Sequence, residues 1–161
     1  MKDFSGFIAV IRELIALFEG LIPVEQEKLD AAIKNRVSFV EECMHKEQAF
    51  VLQLKGLEQR RETQQKQLDM ENYSFRQILD QVPDETAVIL KPLFDRLSTQ
   101  IQLFQSINDS ARDIIEVNLH VIRSALAKQA VEKENAGEET YSASGAKKDT
   151  HDGKHFTSRS V

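Results

Sequence analysis

Tryptophan is absent from this chain of 161 residues, cysteine occurs once, proline three times and glycine six times. A lone Cys43 excludes a disulfide framework and a four-cysteine zinc site within one chain, and it fits a reducing compartment. Scarce glycine and proline leave few tight turns, and strands need turns, so an all-β domain is excluded. Basic excess is missing too: 21 Lys and Arg stand against 26 Asp and Glu, a net charge of −5. A dedicated nucleic-acid binder needs a basic footprint to displace counterions from phosphates, so no nucleic-acid partner is expected. Long hydrophobic runs are lacking as well. The stretch from Phe4 to Ile11 is stopped by Arg12 and Glu13, well short of the ~20 residues of a membrane span and without a small-residue cleavage site. These absences predict a cytoplasmic protein with no stable membrane insertion.

Signatures of catalysis are missing in the same way. There is no Gly-rich phosphate loop, no Gly-x-Ser-x-Gly elbow and no His-Glu-x-x-His helix. His45 lies two residues from Cys43, about 200° around a helix, so the two cannot share a metal. His120 reads as a solvated flank position. His151 and His155 have i, i+4 spacing near Asp149 and Asp152, but Gly153 between them argues against the helix a shared metal would need. The expectation is a protein that is not an enzyme, with no metal and no cofactor.

What is present is helical periodicity. With 41% hydrophobic and 29% charged residues, the chain carries long amphipathic segments. Phe4, Ile8, Ile11, Ile15, Phe18, Ile22, Glu25, Leu29 and Ile33 alternate by threes and fours, the seam of one helix. Pro23 beside Gly20 predicts a kink or short break there. A second segment runs from Val37 through Val40, Met44, Val51, Leu54 and Leu57 into a Gln- and charge-rich stretch to Asp69, then regains apolar weight from Tyr73 to Val82 before Pro83. A third begins at the acidic turn Asp84-Glu85, which suits the positive end of a helix dipole; Pro92 is expected to delay its regular start by a turn. From Phe94 through Leu97, Ile101, Phe104, Asn108, Ala111, Ile115, Asn118, Ile122 and Ala125 it carries the widest apolar face in the chain. Asn108 and Asn118 inside that stripe cost packing energy but can fix register through a hydrogen bond.

After Glu134 the composition changes to Gly, Ser, Thr and mixed charge with no Leu, Ile or Met, too polar to fold alone. The predicted architecture is therefore all-α: an elongated antiparallel bundle of three to four long helices over 1–133 (about 3–33, 36–82 and 84–133), with a flexible tail over 134–161. A bundle with an uncovered groove beside Leu119, Ile122 and Leu126 suits an amphipathic helix from a partner. The alternative is a structural, self-associating coiled-coil protein, a homodimer closing that face with no client.

The run Ile107-Asn108, Ile114-Ile115, Asn118-Leu119 and Ile122, followed by the tail Thr140-Tyr141-Ser-Ala-Ser-Gly145, resembles the FlgN family of flagellar export chaperones. The resemblance covers the whole chain loosely and 107–145 more closely; Ala111, Pro23, Pro92 and Gly56 depart from its pattern. It implies a cytosolic type III export chaperone that binds the hook-associated, or hook-filament junction, proteins by their amphipathic terminal segments, prevents their premature association and delivers them to the export gate. It implies Ile115, Asn118, Leu119, Ile122 and Leu126 as the client surface, with Tyr141 and Gly145 contributed by the tail.

Overall fold

The computed structural model describes residues 2–141 of the chain, with side chains to residue 134. Four helices follow one another: α1 (Ser5–Ile33), α2 (Val37–Gln67), α3 (Phe75–Gln81) and α4 (Asp84–Tyr141). The fold is all-α, with no strand among the described residues. The chain divides into two compact units, Met1–Ile115 and Glu116–Val161.

In the first unit α1 and α2 form an antiparallel hairpin. α1 is closed by Asn35, two residues past its end, which takes the left-handed conformation at φ 54°. Its N–H donates to the carbonyl of Ala32, and the N–H of Arg36 donates to that of Ala31. That pair of bonds is a Schellman closure, with asparagine where glycine is commonest. α2 ends the same way: Asp69 has φ 58°, its N–H donates to Lys66 and that of Met70 donates to Gln65. The turn after it is held by Gln65, a buried side chain whose Nε2 donates to the carbonyls of Met70 at 3.0 Å and Tyr73 at 3.2 Å. Ser74 then opens α3 with a reciprocal capping box to Gln77. The segment expected as one helix over 36–82 is thus two helices separated by a turn, because the Gln-rich end of α2 supplies turn contacts rather than a seam.

Both internal prolines behave differently from expectation. α1 continues uninterrupted through Pro23, and α4 begins at Asp84 and runs through Pro92 with no delayed start. Each proline is exposed, so the carbonyl left without its helical donor lies on the water side and the cost is small. Gly20 is explained by packing instead: a Cβ there would lie 3.0 Å from Phe50 Cε1 of α2. Gly56 has nothing within 4 Å of its missing Cβ. Gly56→Ala is therefore expected to stabilise the protein by about 0.5–1 kcal/mol in urea denaturation, through helix propensity alone.

The main core of this unit gathers Phe7, Val10, Ile11, Leu14, Phe18 and Leu21 of α1 with Leu68, Met70, Ile78, Leu90, Phe94 and Leu97. Phe94 stacks on Phe75 of α3 at 4.1 Å and meets Phe7 edge-on at 6.1 Å, while Phe18 meets Phe104 at 5.8 Å. Along α1 the partners on α4 advance in the same direction, so α1 and α4 run parallel and both are antiparallel to α2. α3 closes the end where α2 gives way to α4. The expected Val82–Asp84 boundary is observed, with Val82 extended at ψ 156° ahead of Pro83.

α4 extends to Tyr141, past the limit near 133 expected from composition. Glu132, Lys133, Glu134, Ala136, Glu138 and Glu139 have good helix propensity, which an argument from scarce apolar residues overlooks.

Candidate partner-binding surface

In the second unit, described by itself, no apolar side chain between 116 and 134 is buried. Leu119, Ile122 and Leu126 are 44%, 43% and 59% exposed. Their three- and four-residue spacing puts them on one face of α4. Asn118 beside them is half-buried. Ile115 belongs to the first unit, where it packs with Ile114 against Ala31, Ala32 and Val40; part of its apolar surface is already used. Tyr141 is the last residue of α4, but its side chain lies outside the described residues, as does all of Gly145.

A second set of exposed apolar side chains consists of Val117, Val121 and Val131; sequence reasoning places Val121 at the flank of the α4 stripe and misses Val117 and Val131. By helix geometry they fall roughly opposite the Leu119–Leu126 face. The signal was the spacing 117, 121, 124, 128, 131, masked because Ser124 and Lys128 occupy two of its positions. Charges between 116 and 134 have both signs, with Glu116, Glu132 and Glu134 against Arg123, Lys128 and Lys133. No single-sign field results, so contact here rests on apolar area rather than charge steering. α2 also presents Val37, Met44, Val51 and Leu52 to solvent.

A buried charged cluster lies in the first unit. Lys28, on α1, sits 2.9 Å from Glu25 of its own helix and 2.6 Å from Glu47 of α2. Its Nζ also donates to Asn108 Oδ1 of α4 at 3.0 Å. The in-stripe asparagine of α4 thus has the hydrogen-bond partner that a half-buried amide needs. Glu25 is only 1% exposed. Burial, then a hydrogen bond with the Glu47 carboxyl, push its pKa up to about 7 against the opposing pull of Lys28. For Lys28 burial disfavours the charge, but the two carboxylates outweigh it and the ammonium is held above its ordinary range.

His45 and His120 are exposed, and Cys43 is buried with its thiol pushed up by that burial, the opposite of an activated nucleophile. Among the described residues no group of His, Cys, Asp or Glu is placed to hold a metal ion. His151 and His155 lie outside the described residues. No described helix is long and apolar enough to cross a membrane.

Comparison with known protein families finds that the family model described as FlgN protein matches residues 1–149. No curated protein and no solved structure matches the chain.

Proposed function

This chain belongs to the FlgN family of flagellar export chaperones, and from that premise we propose that it binds the amphipathic terminal segments of hook-associated proteins on the α4 face of Leu119, Ile122 and Leu126. The family is one of chaperones rather than enzymes, and its members bind flagellar hook-associated proteins in general. The supporting observation is that these three side chains share one helical face and stand exposed, with no described side chain of their own unit over them. Client ends that are disordered before assembly and amphipathic when helical would lay their apolar faces there, which prevents premature association. The ordering cost of such coupled folding keeps affinity moderate and leaves release feasible. Ile115 adds to the client surface, Asn118 sets the register of the incoming helix, and Tyr141 and Gly145 contribute contacts to the client or the export gate. The setting is the cytosol.

Calorimetric titration with the C-terminal segments of hook-associated proteins tests the proposal. Micromolar or tighter binding with a negative heat-capacity change is expected, weakened about a hundredfold by Ile122→Asp, since an unpaired carboxylate would enter an apolar contact. Unrelated amphipathic peptides binding equally well, or full affinity in the variant, would overturn it.

The exposed Val117, Val121 and Val131 favour a second reading, in which this helix self-associates without a client. A stable dimer by light scattering, with no client segment bound, would select that reading.

A further inference from the structure

Along each of the three long helices of the first unit, polar or charged residues interrupt the apolar packing at the same level, two on α1 and one each on α2 and α4. On α1 Glu25 and Lys28 lie between Leu21 and Ala31; on α2 Glu47 lies between Phe50 and Val40; on α4 Asn108 lies between Phe104 and Ile114. The layer divides the apolar interior into two unequal parts. On one side is the main core, with fifteen buried residues; on the other is a distal cluster whose buried members are Ala31, Ala32 and Val40, with Ile114 and Ile115 packed against them. Two alanines and a valine, even with Cys43 and Ala111 buried one turn beyond the layer, bury far less apolar area than the fifteen residues of the main core, so at about 25 cal/mol per Å² the distal end has the weaker grip.

We propose that Glu25, Lys28, Glu47 and Asn108 form a proton-dependent clasp that holds the distal end of the α1–α2 hairpin onto α4. The charge count is the reason. Two carboxylates share one ammonium, so the fully ionised layer carries an excess negative charge next to a side chain that is 1% exposed. One added proton makes the layer neutral and lets one carboxyl donate to the other, joining α1 to α2, while Lys28 reaches Asn108 on α4. Loss of that proton leaves two anions facing each other across the hairpin. The groups facing Glu25 are Lys28 on its own helix and Glu47 on α2; on α4 the neutral Asn108 meets the layer through Lys28. The neighbouring pair Glu27 and Lys46, 3.9 Å apart, is exposed on both sides and lies outside the layer.

The sign follows from the direction of the shift. A carboxyl whose folded pKa is raised from 4.5 to about 7 contributes its full stabilisation below the unfolded value and loses it as pH rises through the folded one. Closure of the distal end is therefore strongest in mild acid and weakens through neutrality. Because the distal cluster is the weaker part, the change appears there as local opening before it appears as global unfolding.

Hydrogen exchange on the full chain at pH 6, 7 and 8, corrected for intrinsic exchange chemistry, tests this. Protection of residues 29–40 and 107–115 is expected to fall about tenfold more than that of residues 7–18 between pH 6 and pH 8. Glu25→Gln and, independently, Glu47→Gln each leave a neutral layer and should abolish that difference, whereas Glu27→Gln should retain it. Equal pH dependence in the distal and main-core segments, or the same distal loss in both Gln variants, would overturn the clasp.

Discussion

Lys28→Met is expected to destabilise the protein by about 3–5 kcal/mol at pH 7.5, measured by urea denaturation followed by circular dichroism. The substitution keeps the length of the side chain, so little packing is lost. What is lost is the only cation in a layer that holds Glu25 and Glu47, along with the donor to Asn108 Oδ1. Two carboxylates would then face each other without compensation, one of them nearly inaccessible to water. The loss should shrink when the titration is repeated near pH 5, because Glu25, already raised to about 7 by burial and Glu47, takes up a proton before the ordinary carboxylate range. Replacing all three charges by apolar residues, with Glu25→Leu, Lys28→Met and Glu47→Leu together, should recover most of the stability, since a buried ion pair rarely outperforms well-packed hydrophobic residues. A single Lys28→Met that proved neutral at pH 7.5 would mean that water reaches the layer.

Phe94→Ala is expected to cost a similar 3–5 kcal/mol. Phe94 is 2% exposed and joins three helices: its ring stacks on Phe75 of α3 and receives the edge of Phe7 of α1. Truncation leaves a cavity bordered by two rings that cannot both collapse into it, and it forfeits the aromatic contacts as well as the apolar burial. α3 has only seven residues, too few to hold a helix alone, so it should lose its hydrogen-exchange protection first. Phe39→Ala provides the control. That ring is exposed beside Arg36 at the hairpin turn, and its removal should change stability by no more than about 0.5 kcal/mol. Equal effects at the two positions would show that the core is not organised around Phe94.

Much of this protein could be read from its residues because long helices declare themselves by period. Phe7 to Leu21 and Leu90 to Phe104 repeat often enough that the apolar stripes need no tertiary information. The turn over 68–74 was harder to read, because its determinant is one buried amide, Gln65, among many solvated glutamines of identical type. Pro23 and Pro92 do not interrupt their helices as their residue type suggests, since the cost depends on whether the orphaned carbonyl faces water. The Leu119, Ile122 and Leu126 face was legible for the same reason as the core. The opposed face was not, beyond Val121 at its flank, because Ser124 and Lys128 break its pattern between Val117 and Val131.

The sequence by itself determined the helical class, the family, the boundary at Pro83 and the apolar stripe on α4, because each depends on local spacing or on a residue's own backbone chemistry. Tertiary structure alone decided that Glu25, Lys28, Glu47 and Asn108 meet. Eighty residues separate Lys28 from Asn108, and no local pattern can encode their encounter; only the packing of three helices at one level brings them within hydrogen-bond reach.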